Sequence, residues 1–183
     1  EKLIEKYKDR KSFLNYKNLY QLTVMVVLAA QDSDAKINKL APTLFAAFPS
    51  MKALAKASSA QIIEQISSVR GHVKKADWLQ DIARHIKADE NIPVTMDELV
   101  ALKGIGRKSA NVIMRGAGVK ASGILVDLHV IRVTRRVGIT SETVGDKIEK
   151  DLMKVFPEAM WADVGPSIST LGREICRPTN PKH

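Results

Sequence analysis

The sequence predicts an all-α fold, and three observations predict it. Apolar residues recur at helical spacing over most of the chain. At two places a Ser or Thr stands three positions before a Gln or Glu, the spacing of a capping box that opens a helix. No stretch of useful length alternates apolar and polar residues as a half-buried strand does. Roughly ten helices joined by short loops are expected.

The longest apolar run, Val24 to Ala30, extends back through Leu22 and Leu19. A helix that is apolar on all sides, and therefore central, is expected there. The run is too short to span a bilayer. The charged start, Glu1-Lys2-Leu3-Ile4-Glu5-Lys6, is not expected to act as a signal peptide. Ser58 to Gln61 has capping-box spacing, with Ile62, Ile63 and Ile66 behind it. Leu79, Ile82, Ala83 and Ile86 form one face of the next helix, whose other face carries Lys75, Asp81, Arg84 and Lys87. Thr95 to Glu98 has the second capping box, opening a short helix that ends near Leu102. Val144, Ile148, Leu152 and Val155 recur at near-helical spacing. Gly71, Pro93, Gly104 with Gly106, Gly116 with Gly118, Gly123, Gly138, Pro157 and Gly165-Pro166 mark the joints between elements.

The 183 residues suffice for one large domain or two small ones. Their formal net charge of +9 points to a polyanionic partner, beside the alternative of a basic solvated surface. No basic amphipathic helix with a Trp-rich apolar face is evident, so a membrane partner is not expected. Cys176, the one cysteine, excludes an internal disulfide. A reducing intracellular compartment fits this cysteine content.

The stretch from Leu102 to Ala110 carries the most information: Leu102-Lys103-Gly104-Ile105-Gly106-Arg107-Lys108-Ser109-Ala110. A helix ends, two glycines follow, and a new helix is expected from about 107 to 117. Glycine accepts positive φ and leaves its N–H unobstructed. Two glycines ahead of a helix N-terminus aim free N–H groups outward, where the helix dipole also favours an anion. This makes a backbone cradle for a phosphate, with Lys103, Arg107 and Lys108 adding attraction. A plain Gly-rich turn between helices is the alternative. The spacing is neither a P-loop nor a dinucleotide fingerprint, since the GxxxxGK[ST] pattern and a preceding strand are both missing.

Lys108 falls in the first turn of the new helix, where the dipole and Arg107 both oppose its charge and favour the free amine. A free amine is a nucleophile toward a sugar C1′ or a carbonyl. An ordinary phosphate-contacting lysine is the alternative. Asp127 ends an apolar run, Ile124-Leu125-Val126, just where a helix begins. An ordinary N-cap is the alternative there.

These blocks resemble the endonuclease III family of helix-hairpin-helix DNA glycosylases. The resemblance rests on Leu102 through Asn111, on Val126-Asp127-Leu128-His129-Val130-Ile131-Arg132-Val133, on Leu28-Ala29-Ala30-Gln31-Asp32-Ser33-Asp34 with Ile37-Asn38-Lys39, and on Leu171-Gly172-Arg173-Glu174-Ile175-Cys176. They stand in order over nearly the whole chain. The resemblance implies an all-α fold of two lobes with a DNA-binding cleft between them. One lobe would span 16–123 and contain the hairpin at about 96–118. The other would combine 1–15 with 124–183. It implies Lys108 and Asp127 as catalytic residues, and Gln31, Lys103, Gly104, Ile105, Gly106, Arg107 and His129 as DNA contacts, with Gln31 entering the duplex. It implies a monomer acting on double-stranded DNA that holds damaged bases or abasic sites. The activity would be excision of oxidised pyrimidines, followed by strand cleavage through a lysine Schiff base.

The family's [4Fe–4S] cluster, on four cysteines near the C-terminus, meets a departure here. Only Cys176 stands among the expected ligands, and His183 falls where a C-x6-C spacing would put the second. An intact cluster is not expected, whether through truncation in the loop, which the ending favours, or through a cluster-free lineage, and no cofactor is expected. The resemblance also makes a monovalent cation a candidate ligand of the hairpin carbonyls. Relatives place a bulky apolar wedge near Gly71, which Gly71 itself cannot supply; His72 and Val73 are the candidates, beside a basic loop touching phosphates. Two alternatives to the oxidised-pyrimidine reading stand: a non-catalytic DNA-binding module, and a glycosylase of the same fold for another damaged or mismatched base.

Overall fold

Eleven α-helices and two 3-10 turns form among the described residues, 1–8 and 12–182, of this computed structural model, and no strand forms among them. The chain divides into two units, Ser12–Ala117 and Glu1–Lys11 with Gly118–His183. The first is called the hairpin unit below and the second the aspartate unit. The division falls at 117/118, a few residues ahead of the position expected from the sequence. Helix α1 (Lys2–Tyr7) belongs to the aspartate unit.

Hydrophobic burial selects α2 (Leu19–Ala29) as the centre of the hairpin unit. Tyr20 and every residue from Leu22 to Leu28 are buried, as expected of a helix apolar all round. Asn18 caps it by accepting from Gln21 N. Around it lie α3 (Asp34–Ala47), α4 (Met51–Lys56), α5 (Ser59–Ile66), α6 (His72–Ile86), α7 (Met96–Ala101) and α8 (Arg107–Gly116). Helices α3, α6 and α8 pack against α2. The capping box at Ser58 forms in full, with Ser58 and Gln61 each satisfying the other's backbone. The one at Thr95 does not: the Thr95 hydroxyl donates to Glu98 Oε2, so the two side chains pair with each other instead of with the backbone.

Leu79, Ile82, Ala83 and Ile86 are buried on α6, as their spacing requires. Lys75 corrects the sequence reading. It is only 4% exposed, not on the solvent face, because its ammonium reaches two backbone carbonyls at the end of α2.

The aspartate unit contains α9 (Leu128–Arg136), α10 (Gly145–Val155) and α11 (Trp161–Glu174). Its core joins Ile124, Val130, Val133, Ile148, Leu152, Val164 and Ile168, with Leu3 and Ile4 packed against them. On α10 only Ile148 and Leu152 of the four expected positions are buried. Val144 precedes the first turn as its N-cap, Val155 closes the last, and both are exposed. Gly165-Pro166 is not a joint but lies inside α11. A Cβ at Gly165 would stand 2.2 Å from the Leu125 carbonyl oxygen, so this glycine serves close packing, not a turn. Among the described residues no helix is long and apolar enough to cross a membrane.

Candidate functional site

In the hairpin unit, α7 stops at Ala101 and the chain turns through Lys103 to Gly106, with Ile105 N donating to Leu102 O at 3.1 Å. Ile105 is buried and anchors the turn. Gly104 has φ +85°, and a Cβ there would meet Trp78 Cε3 at 2.5 Å, so glycine is required for conformation and for space. Gly106 does not use that freedom: it is extended at φ −98° and caps α8, with its carbonyl accepting from Ala110 N. Nothing lies within 4 Å of where a Gly106 side chain would begin. No side chain caps the first turn of α8, so the N-terminal amides behind Gly106 remain suited to an anion. Arg107 is half-buried and Lys108 exposed in that turn. Lys103 Nζ lies 2.8 Å from Asp81 Oδ2. The pair holds the Asp81 carboxyl below its ordinary value and the Lys103 ammonium above its own.

Gln31 belongs to the same unit, just past the end of α2, and is exposed with φ +59°. Its neighbour Asp32 accepts from Arg70 N and Ser33 N, each at 2.9 Å, and from Lys36 Nζ at 3.1 Å. These bonds, the Arg70 amide first, hold the Asp32 carboxyl down at about 2.

In the aspartate unit, Asp127 is the N-cap of α9. Its Oδ1 accepts from His129 N and Val130 N, both at 2.9 Å, and its Oδ2 accepts from Ser169 Oγ at 2.6 Å. The capping reading is thus correct as geometry, and it fixes the carboxylate rigidly. Leu128, the next residue, is 78% exposed. His129 Nδ1 lies 3.0 Å from Arg132 Nη2. A guanidinium cannot accept, so in this pair Nδ1 is the acceptor. Burial chiefly pushes the His129 value down; Arg173 and Arg132 add to this, and Asp127 opposes it. Arg132 continues to Gly172 O and Cys176 O, at 2.7 and 3.0 Å.

A [4Fe–4S] cluster needs four thiolates or close substitutes. These 183 residues hold one cysteine, whose Sγ accepts from Arg136 Nη1 at 3.4 Å. Among the described residues no three His, Cys, Asp or Glu side chains gather as a metal site. The residues present do not fit the cluster, and no step below runs through it. A monovalent cation would have only backbone carbonyls at the hairpin, of which Leu102 O is already used, and no step needs one.

The structure thus gathers Gln31, Lys103, Gly104, Ile105, Gly106, Arg107 and Lys108 in the hairpin unit, and Asp127, His129 and Cys176 in the aspartate unit. Sequence reasoning missed Ser169, whose partner lies 42 positions away, and it placed Lys75 on the wrong face. Lys75 stands four positions before Leu79, the spacing that puts it on the apolar face, and that was the available signal; Ser169 offered none.

A model of HhH-GPD superfamily base excision DNA repair proteins matches residues 24–158. Endonuclease III of Synechocystis sp. is 37% identical over 170 residues, which cover 92% of this chain and 78% of that protein. Endonuclease III of Bacillus subtilis is 34% identical over 174 residues, with the same two coverages of 92% and 78%. A solved non-covalent endonuclease III–DNA complex superposes with a TM-score of 0.90 at 30% identity, over 99% of this chain and 86% of that one. The chain belongs to the HhH-GPD superfamily of base excision DNA repair proteins, within its endonuclease III family, and is a DNA glycosylase.

Proposed function

We propose that this enzyme excises oxidised pyrimidines such as thymine glycol from duplex DNA and then cleaves the strand by β-elimination, with Lys108 as nucleophile and Asp127 as its carboxylate partner. The observation that carries this reading is Lys108 itself, exposed in the first turn of α8 directly behind the Gly104–Gly106 turn. An endonuclease III–DNA covalent intermediate has been trapped for a chain 30% identical to this one, with a TM-score of 0.90, which supports the same chemistry here.

The damaged nucleotide leaves the base stack, because its C1′ cannot be reached inside the duplex. Gln31 fills the space it vacates. The amides of Gly104 and Gly106, with Lys103 and Arg107, hold phosphates and so fix the register without reading sequence, while Ile105, whose own amide bonds Leu102 O, anchors the turn that presents them. His129 contacts the DNA beside Asp127. Lys108 Nζ attacks C1′ as the C1′–N bond breaks, and the base departs with the bonding pair and takes up a proton. Asp127 accepts the proton that Nζ sheds and stabilises positive charge developing on the sugar. Opening of the sugar ring leaves a protonated imine between Nζ and C1′. Loss of a C2′ proton then expels the 3′ phosphate, which cuts the strand, and water hydrolyses the imine to free Lys108. The enzyme acts as a monomer.

Borohydride trapping on duplexes that differ only in the lesion tests this reading. Wild type is expected to form a covalent adduct with the thymine-glycol duplex. Lys108→Gln is expected to bind that duplex and form none, and Asp127→Asn to bind it with excision slowed roughly 10²- to 10⁴-fold. Trapping of Lys108→Gln at the wild-type level removes Lys108 from the role. Trapping of wild type only on another lesion moves the substrate class.

A further inference from the structure

Gln31 holds a left-handed backbone, φ +59°, which a residue with a side chain rarely adopts unless its surroundings impose it. Gln31 is the i+2 residue of a turn from Ala29 to Asp32, closed by Asp32 N donating to Ala29 O at 3.1 Å, and residues 70–75 hold that turn in place. Lys75 Nζ donates to Leu28 O at 2.7 Å and to Ala30 O at 2.6 Å, so one ammonium grips two of the carbonyls that lead into Gln31. The lysine is buried, and burial pushes its value down from the ordinary lysine range, so its position costs free energy that an exposed lysine would not lose. On the other side of Gln31, the Asp32 carboxylate takes the Arg70 amide and ties the loop to the segment that opens α6. Gln31 is therefore pinned from both flanks by residues 70–75, while its own side chain remains exposed.

The same helix reaches the hairpin. Three positions beyond Lys75, Trp78 occupies the space where a Gly104 side chain would stand, and Asp81 bonds Lys103. Lys74 Nζ stands 5.1 Å from the centre of the Trp78 ring. Within the hairpin unit, α6 contacts both the Gln31 loop and the Gly104–Gly106 turn.

We infer that Lys75 is a positioning residue that holds Gln31 ready to enter the duplex, and that α6 sets the spacing between Gln31 and the Gly104–Gly106 turn. This rests on the proposed reading of Gln31 as the residue that fills the vacated space. A preformed loop avoids ordering itself at the moment of base flipping, so its loss is felt where a base pair must be opened.

The test compares single-turnover excision of thymine glycol from a fully paired duplex with excision from the same lesion in an unpaired bubble. Lys75→Met and Asp32→Ala are measured beside wild type and Gln31→Ala, together with hydrogen exchange at the amides of 30–33 in the free proteins. Asp32→Ala removes the second tether while keeping the Lys75 side chain, which covers the case that Lys75→Met fails to fold. The expected result is a loss of roughly 10-fold or more on the paired duplex, little loss on the bubble, and faster exchange at 30–33 in both tether variants. Equal losses on both substrates, or unchanged exchange, overturn the positioning role. If Gln31→Ala is as active as wild type on both substrates, the Gln31 reading fails, and the role in duplex opening falls with it. A selective defect in Gln31→Ala without one in the tether variants overturns the Lys75 proposal alone.

Discussion

Ser169 Oγ donates to Asp127 Oδ2 across 2.6 Å, so a serine in α11 holds the one carboxylate oxygen that the α9 backbone leaves unused. The carboxylate is oriented by three donors from two helices. Ser169→Ala is expected to lower stability by about 2 kcal/mol, the scale of a hydrogen bond to a charged group. It is also expected to slow base excision about 10-fold, because a freed carboxylate is less well placed. DNA affinity is expected to hold. A variant with the wild-type excision rate denies Ser169 any part in orienting Asp127.

The two hairpin glycines are expected to behave differently. Gly104→Ala meets both a positive φ and the Trp78 ring, and a loss of roughly 2–3 kcal/mol in a denaturant titration is expected. Gly106→Ala meets neither, so stability is expected to stay within about 0.5 kcal/mol. Its cost falls on affinity, because the added methyl sits where a phosphate would approach the backbone. Equal stability losses in the two variants would contradict this division.

Arg107→Gln is expected to reduce the slope of log K against log salt by about 1, the change for one phosphate contact. Lys103→Gln is expected to reduce it by less than the roughly 1 of a fully engaged phosphate contact, because Asp81 stands 2.8 Å from Lys103 and already offsets part of its charge. Duplex-binding isotherms at several salt concentrations measure both slopes.

His129 has a folded-state value below its ordinary 6.5, chiefly through burial, so the native state binds fewer protons than the unfolded chain. Its contribution to stability is complete above about pH 6.5 and declines as the pH falls through the window between 6.5 and the lower folded value. Protonation also removes the acceptor that Arg132 uses. Urea midpoints from pH 7.5 down to 5 are expected to fall more steeply for wild type than for His129→Gln, which keeps an acceptor and cannot titrate. Parallel curves would assign the pH dependence elsewhere.

Much of the fold was legible because it is locally encoded. The buried run from Leu22 to Leu28 and the Ser58 capping box depend on residues within a few positions of one another. The same local rules misread Thr95, where two side chains preferred each other to the backbone. They also misread Gly165-Pro166, where a glycine needed for packing resembled a break.

The sequence by itself determined the helical class, the basic charge, the glycine turn ahead of Lys108 and the aspartate at the start of α9, because charge, propensity, capping and periodicity act over short spans. Tertiary structure alone decided that Lys75 is buried against the carbonyls of Leu28 and Ala30, and that Ser169 completes Asp127. Those partners lie more than forty positions apart, and no periodicity registers a hydrogen bond that forms only when two helices have packed.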